Sequence, residues 1–459
     1  MSFVGSNILA GASGQGGSSY EIERSLRFNS ADSAYLSRTP ASAGNRKKWT
    51  WAGWVKRSAL ASGGTQSQVL FGGPASQNYA LLFFSTTNTL VFENHNNGLI
   101  VADGVFRDTS AWYHIVLSVD TTNATSDDRM VLYVNGVRQT TTTYNPPGLN
   151  SDTYLNQALE HRIGRFGYNN FEHFLSGYLA DVHFVDGQAL APTDFGKYDN
   201  NGIWQPKEYS GTYGTNGFHL DFSDNSTVTT LGTDTSGNGN DWTVNNFGIT
   251  TVVGPSYSTT GTFSTSAGLL FDNDTSTFAT CQNGQSCAAI FSIPFTSSLR
   301  CYITTHADMN RFGGTVFRFT GGTTNVTPTF ATYTGWYDFT SIGSPFTRID
   351  WTRTTNSFGG FGVSAIEVDG QIVYISDNDS LVDTPTNYGN DTGAGGEVRG
   401  NYATLNPLDR QSSNGELSNG NLDIKQTTNA WAMYRSTMFV SSGKWYWEVT
   451  IGNNQYTTI

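Results

Sequence analysis

The stretch Met-Val-Leu-Tyr-Val-Asn-Gly-Val, residues 130–137, decides the fold class of this chain. Apolar and aromatic residues fill the first five positions, which is typical of a strand. Asn135-Gly136 supplies the positive φ angles that a type I′ turn requires. The stretch therefore predicts a β-hairpin, and it is the strongest hairpin signal in the chain.

Further strand patterns lie on both sides of this hairpin. Upstream, residues 49–55 and 112–119 are dense in apolar side chains, and residues 79–84 and 90–93 flank a Thr-Thr-Asn turn signal. Long amphipathic helical patterns do not occur, so the sequence predicts an all-β protein built of sandwiches.

Downstream of the hairpin, residues 177–185 read as an alternating strand. Tyr178, Ala180, Val182 and Phe184 would form one face. The opposite face would carry Leu179, Asp181, His183 and Val185, which suits a strand whose second face is partly wet, that is, partly exposed to solvent.

Composition and charge restrict the class of partner. At 459 residues, the length suggests about three domains. The formal net charge of −12 argues against a nucleic-acid partner, which needs a cationic face. The N-terminal residues lack the basic region of a signal peptide, and no apolar run is long enough to predict a membrane span.

The order of strands in residues 22–204 resembles the laminin-G/concanavalin-A-like jelly roll. The segments that carry the resemblance are Leu-Arg-Phe-Asn, Trp-Thr-Trp-Ala-Gly-Trp-Val, Ala-Trp-Tyr-His-Ile-Val, Leu-Tyr-Val-Asn-Gly-Val and Gly-Tyr-Leu-Ala-Asp-Val-His-Phe-Val-Asp-Gly. This resemblance implies a fold rather than a function.

Two later regions resemble other sandwich families. Residues 256–378, with Asp-Asn-Asp-Thr-Ser-Thr at 272–277, resemble galactose-binding-like sandwiches. Residues 401–459, with Gly-Lys-Trp-Tyr-Trp-Glu-Val at 443–449, resemble the start of a SPRY domain that would need further residues. The remaining predicted regions are a Gly-rich arm at 1–21, a connector or β extension at 205–255 and a linker at 379–400.

The whole succession is similar to tail-fibre or appendage proteins of marine tailed bacteriophages. The resemblance implies a virion protein, made in the host cytoplasm, whose sandwiches adhere to polysaccharide on the host surface. It also implies that the N-terminal arm attaches to other virion proteins and that the chain forms a homo-oligomer, in fibres commonly a trimer. The alternative is a purely structural decoration or scaffold protein without glycan binding.

Candidate glycan-binding residues are aromatic rings in loops, because sugars stack on aromatic faces. The sequence indicates Trp336 with Tyr337, and Tyr168 with Asn169. For each ring, packing in a core is the alternative interpretation.

A structural calcium ion is the cofactor that the sequence suggests, and no other cofactor is expected. Asp272, Asp274 and Thr277 supply closely spaced oxygen ligands, as calcium requires. The alternative is an Asx turn that closes a hairpin. A weaker candidate is Asp234 with Asn238 and Asp241.

Catalytic patterns are weak, and we predict that the chain is not an enzyme. The nearest approach to a glycanase carboxylate pair is Glu367 with Asp369, where a turn acid is the simpler interpretation. His114 and His183 lie within strand patterns and are interpreted as structural. Cys281 and Cys287 could close a loop, but we expect free thiols at both and at Cys301.

Overall fold

The computed structural model describes residues 20–60, 67–168, 171–249, 257–261, 286–295, 299–305, 316–320, 335–338, 346–352, 361–368, 371–373, 378–386, 399–411, 414–426, 431–439 and 441. The chain divides into two compact units. The first contains residues 1–249 and 378–442, and the second contains residues 250–377 and 443–459.

The first unit contains two eight-stranded antiparallel sheets. The first sheet has the order β10-β9-β8-β3-β15-β1-β28, and β18 pairs with β15 outside this path. Its strands are β1 (Ser25–Phe28), β3 (Lys48–Arg57), β8 (Trp112–Asp120), β9 (Met130–Val134), β10 (Val137–Arg138), β15 (Gly177–Asp186), β18 (Phe218–Leu220) and β28 (Ser380–Leu381).

The second sheet of this unit has the order β11-β7-β6-β5-β4-β12-β2-β19. Its strands are β2 (Tyr35–Arg38), β4 (Gln68–Gly73), β5 (Ala80–Phe84), β6 (Thr89–Asn94), β7 (Leu99–Val105), β11 (Thr141–Asn145), β12 (His161–Ile163) and β19 (Thr243–Asn245). Four two-stranded ladders add β13 (Arg165–Tyr168) with β14 (Phe171–Phe174), β16 (Gly196–Tyr198) with β17 (Trp204–Pro206), β29 (Leu405–Arg410) with β32 (Tyr434–Ser436), and β30 (Gly415–Ser418) with β31 (Asp423–Gln426).

The main core lies between these two sheets. Trp49, Trp51 and Leu117 come from the first sheet, Leu82 and Phe92 from the second, and all five are buried in one cluster. The ring of Trp49 meets that of Phe92 edge-on at 5.6 Å. The predicted all-β sandwich is therefore confirmed, with the hairpin at Asn135-Gly136 in place and both residues at positive φ.

A β-bulge in β15 breaks the alternation that the sequence predicts for residues 177–185. Ala180 pairs with Trp54 of β3, but the next paired residue, His183, lies opposite Ala52. Asp181 within the bulge has φ 52°, in the left-handed region. The predicted faces were therefore wrong beyond Ala180, because the extra residue moves Val182 and Phe184 into the main core with Leu179.

The outer face of the first sheet is also buried. Trp54, Trp112 and Tyr178 form an apolar cluster there with Ile22 and Trp204. A second cluster contains Ala52, Val116, Val185 and Phe195. This outer face is covered by Ile22, which precedes β1, and by Phe195 and Trp204, which follow β15. The expectation of a partly wet second face was wrong, because β15 is buried along its whole length.

Residues 378–386, 399–411 and 414–426 belong to this unit, although the sequence predicts a linker and a separate sandwich there. β28 pairs with β1, and the guanidinium of Arg27 donates to Asp379 at 3.1 Å. The hydroxyl of Tyr178 donates to the carbonyl of Gly420 at 2.6 Å. Apart from the strand pairing, polar side chains make these attachments, and hydrophobic periodicity gives no sign of them. The predicted domain boundaries stay predictions.

The second unit contains two four-stranded sheets, β20-β21-β25-β23 and β24-β22-β26-β27. The strands are β20 (Tyr257–Gly261), β21 (Ser286–Phe295), β22 (Leu299–Thr305), β23 (Val316–Thr320), β24 (Gly335–Asp338), β25 (Phe346–Thr352), β26 (Phe361–Val368) and β27 (Gln371–Val373). Cys301 is a buried free thiol. Cys287 is disulfide-bonded, so the expectation of free thiols was wrong there; the sequence could not decide between its two alternatives.

Helical structure is confined, among the described residues, to short 3-10 turns such as Pro192–Asp194 and Thr229–Gly232. In this part of the chain no helix has the length and apolar character to cross a membrane.

Candidate functional site

A cleft in the first unit brings aromatic and polar side chains together. Its volume is about 910 Å3, and it is lined by Tyr20, Glu208, Tyr209, Tyr213, His219 and Asp221, with small polar residues around them. A neighbouring cavity of about 150 Å3 shares Tyr20 and Asp221 and reaches Asp181. The two cavities mark one surface beside the bulge of β15.

Three side chains with metal-binding atoms converge beneath this surface. Asp181 and His183 come from β15, and His219 comes from β18, which pairs with β15 so that His183 lies opposite His219. The bulge turns Asp181 and His183 toward the same outer side of the sheet. The imidazole rings stack with centroids 4.1 Å apart and an interplanar angle of 9°.

One carboxylate oxygen is the focus of the cluster. His219 Nε2 lies 2.7 Å from Asp181 Oδ1, and the hydroxyl of Tyr20 donates to the same oxygen at 2.8 Å. His183 Nε2 is 3.2 Å from it. That nitrogen nevertheless makes no hydrogen bond to any described residue, since a short distance without a favourable angle does not form one.

Hydroxyl groups hold the opposite nitrogen of each imidazole. His183 Nδ1 is 2.8 Å from the Tyr213 hydroxyl, and His219 Nδ1 is 3.0 Å from Thr235 Oγ1. Tyr213 also stacks on the His183 ring at 6.0 Å. Both histidines are therefore fixed in orientation with Nε2 toward Asp181.

Burial and mutual charge shift the pKa values of the cluster. Burial alone would raise the pKa of Asp181, but the charges of His183 and His219, together with the hydrogen bond from His219, hold it well below its usual range. Burial lowers the pKa of His183, and His219 lowers it further. Burial opposes the charged form of His219 too, but Asp181 raises its pKa.

The tyrosines of the cleft stay neutral for the same reason. Burial, followed by the negative charge of Asp181, raises the pKa values of Tyr20 and Tyr213. Burial raises that of Tyr209 as well. The cleft therefore offers neutral phenol rings and hydroxyls beside a paired carboxylate.

The glycan-binding residues predicted from sequence lie elsewhere. Trp336 and Tyr337 are half-buried in β24, where adjacent side chains point to opposite faces of the sheet. The Trp336 ring contacts Tyr302 at 5.4 Å and lies under Arg300 at 5.1 Å. Tyr168 is half-buried at the end of β13, and Asn169 lies outside the described residues. Their role in binding stays a prediction.

The predicted calcium ligands Asp272, Asp274 and Thr277 lie outside the described residues. The second candidate loop is described. Asp234 accepts hydrogen bonds from the backbone N–H groups of Ser236 and Asn240 at 2.9 and 2.8 Å, and Asp241 accepts one from Asp234 at 2.8 Å. This pattern is that of a turn closed by aspartate side chains.

Glu367, considered from sequence as a carboxylate of a catalytic pair, is held by an arginine. It is buried and accepts a hydrogen bond from Arg300 Nε at 2.6 Å across the β22–β26 ladder. Asp369 lies outside the described residues. An arginine-bound carboxylate of this kind braces a sheet.

Sequence reasoning missed the Asp181, His183 and His219 cluster. The sequence indicates only a structural role for His183, because His219 is 36 residues away in sequence. The available signal is the Asp-x-His pattern at 181–183, which places two polar residues in the otherwise apolar stretch 177–185. The convergence of the three depends on the bulge and on the pairing of β15 with β18.

Comparison with known proteins supports the fold of the first unit. Residues 29–194 match the model of the concanavalin A-like lectin/glucanases superfamily, which covers well under half of the chain. This part of the chain thus has a lectin-like β-sandwich fold of the concanavalin A/laminin G type. No curated protein is significantly similar to the chain in sequence.

Solved structures resemble the chain only distantly. A candidate carbohydrate-binding protein from Bacteroides ovatus is 14% identical, with a TM-score of 0.35, over 49% of this chain and 59% of that one; the chain thus spans less than two thirds of it. A SAP-like pentraxin from Limulus polyphemus is 16% identical over 38% of this chain and 80% of the pentraxin chain, with a TM-score of 0.26. Domains LG4-5 of mouse laminin alpha1 are 9% identical over 81% and 98%, with a TM-score of 0.28.

Proposed function

We propose that the chain is a glycan-binding protein of a phage virion appendage, of tail-fibre type, and that saccharide binds in the cleft beside Tyr20, Tyr209 and Tyr213. The observation that carries this proposal is the grouping of three half-buried tyrosines with hydrogen-bonding side chains in one cleft on a lectin-like sandwich.

The chemistry of the cleft suits a sugar. Aromatic rings pack against the C–H faces of a pyranose, while nearby hydroxyl, amide and carboxylate groups bond its hydroxyls. Tyr209 and Tyr213 meet edge-on at 5.0 Å and so present rings in two orientations. The cavity of about 910 Å3 is within the range of ligand pockets, roughly 300–1,000 Å3.

The charge of the cleft favours a neutral glycan. Glu208 and Asp221 line it, whereas no lysine or arginine is among the described residues that line it. A sulfated or uronic-acid polymer would meet uncompensated negative charge there. We therefore expect neutral hexose or amino-sugar polysaccharides to bind in preference to acidic ones.

The virion assignment rests on the resemblance of the chain to phage appendage proteins. In that setting the Gly-rich N-terminal arm attaches to other virion proteins, and weak single contacts are multiplied by the number of copies. Homotrimerisation and a structural calcium ion at Asp272, Asp274 and Thr277 belong to the same proposal.

The test is binding of the purified, labelled chain to an array of neutral and acidic bacterial surface polysaccharides. Saturable binding to neutral polysaccharide, competed by the free polysaccharide, supports the proposal. Absence of binding at high micromolar chain contradicts it and favours the decoration role. Release of reducing sugar from the array would favour the alternative of a glycan-degrading enzyme.

A further inference from the structure

We propose that Asp181, His183 and His219 form a binding site for a divalent transition-metal ion of the zinc type. The site lies beneath the cleft, but its existence does not depend on glycan binding. Nothing in the fold match assigns a metal to these residues.

The donor set is one that zinc prefers. Two imidazole nitrogens and one carboxylate oxygen are common protein ligands of Zn2+, with an open position left for water or substrate. The three candidate ligand atoms lie within 4.8 Å of one another. Ligands of one tetrahedral zinc ion stand about 3.3 Å apart, given bond lengths near 2.0–2.1 Å, so small rotations of the side chains suffice.

The hydrogen bonds behind the rings orient both histidines as ligands. When Nδ1 carries the proton, it donates to the Tyr213 hydroxyl at 2.8 Å in His183 and to Thr235 Oγ1 at 3.0 Å in His219. Each Nε2 then directs its lone pair toward Asp181. Such outer partners are a regular feature of metal-binding histidines, because they fix the tautomer and the ring orientation.

The buried, unsatisfied Nε2 of His183 is an independent indication of a ligand. The side chain is 1% exposed, and Nε2 faces Asp181 Oδ1 at 3.2 Å without a hydrogen-bond partner among the described residues. An unsatisfied buried nitrogen costs free energy, and a lone pair facing a carboxylate is repelled by it. A cation between the two atoms removes both costs.

The ligand types distinguish this site from a calcium site. Calcium takes six to eight oxygen ligands and rarely imidazole, whereas imidazole suits zinc, copper, nickel and iron.

Entry is open from the cleft, because His219 lines the larger cavity and Asp181 the smaller one. Zinc would displace the proton that now joins His219 to Asp181, and binding would therefore weaken at low pH.

The test is titration of the full chain, stripped of metal by chelator and dialysis, with ZnCl2 and in parallel with CaCl2. We expect one Zn2+ per chain by calorimetry and elemental analysis, a rise in melting temperature with zinc, and no comparable response to calcium at this site. Asp181→Asn and His219→Ala should each weaken zinc binding by at least ~10-fold.

Two further variants keep the test decisive. His95→Ala is the matched control. His95 also lies beside a carboxylate, Glu93 at 3.5 Å, but it belongs to no cluster of three metal-binding side chains among the described residues. This variant should bind zinc as the wild type does. Thr235→Val removes the partner of His219 Nδ1 and should weaken zinc binding ~10–100-fold even if the ligand variants misfold. A wild-type chain that binds no zinc, or His219→Ala and Thr235→Val variants that bind it with unchanged affinity, would overturn the proposal.

Discussion

The ammonium group of Lys56 lies 2.7 Å from a carboxylate oxygen of Asp383, which is 327 residues further along the chain. The Lys56 side chain is 0% exposed, and it also donates to Asn401 Oδ1 and the Tyr402 carbonyl, both at 2.8 Å. Asp383 in turn accepts a hydrogen bond from the Trp112 indole at 3.1 Å. This buried network fixes the region after residue 378 to the N-terminal sandwich.

Removal of either charge of this pair should strongly destabilise the first unit. Lys56→Met leaves Asp383 buried and unpaired, and we expect the free energy of unfolding to fall by about 3–5 kcal/mol. Urea denaturation monitored by tryptophan fluorescence measures the change. The control is Arg138→Gln, which removes an exposed pair with Asp128 and should cost under about 1 kcal/mol. Equal effects of the two substitutions would show that the pair does not stabilise the unit.

Gly420→Ala should separate the region after residue 378 from the sandwich. Gly420 has φ 66°, and an added Cβ would collide with the Tyr178 hydroxyl. We expect a loss of about 2–4 kcal/mol, combining strain and collision. Gly237→Ala is the matched control, because Gly237 has φ 87° but nothing within 4 Å of the new Cβ, and it should cost only about 1–2 kcal/mol. Thermal unfolding of both variants provides the comparison, and a larger loss in Gly237→Ala would contradict the packing argument.

Stability should fall in mild acid because of His161. Its Nε2 accepts a hydrogen bond from the Asn156 N–H at 2.9 Å, and burial lowers its pKa to about 4. This pKa is below the ordinary histidine value of about 6.5, so the unfolded chain takes up the proton first as the pH falls. The stability that neutral His161 contributes is therefore complete above pH 6.5, and about 3 kcal/mol of unfolding free energy is lost as the pH falls toward 4. Urea denaturation at a series of pH values should show a shallower decline for His161→Gln than for the wild type. Parallel curves for the two proteins would argue against this assignment.

Tyr209→Ala should weaken glycan binding without unfolding the protein. Tyr209 lines the cleft, and its ring stacks on Phe195 with centroids 5.0 Å apart. Loss of the ring removes a stacking surface worth roughly 0.5–1.5 kcal/mol, or about a 2- to 13-fold drop in affinity. Tyr198→Ala is the control, because Tyr198 is 52% exposed and does not line the cleft. Polysaccharide binding by biolayer interferometry distinguishes the two, and an equal loss in both would place the site elsewhere.

The presence of strands and the all-β fold class could be predicted from local sequence patterns. The turn at Asn135-Gly136 and the apolar density of residues 49–55 predicted a hairpin and a core strand, and both occur. These features are local, because turn geometry and side-chain burial are encoded within a few residues. The faces of residues 177–185 could not be predicted beyond Ala180, since one inserted residue reverses the alternation and leaves no compositional mark.

By itself, the sequence determined an all-β chain with a lectin-like sandwich at its start, through the spacing of its apolar residues and turns. Only the tertiary structure decided which polar side chains meet. Asp181 and His183 join His219 through a bulge and a strand pairing, and Lys56 finds Asp383 across 327 residues. The physical reason is that burial pattern is a local property, whereas the partner of a buried charge is set by long-range packing of the whole unit.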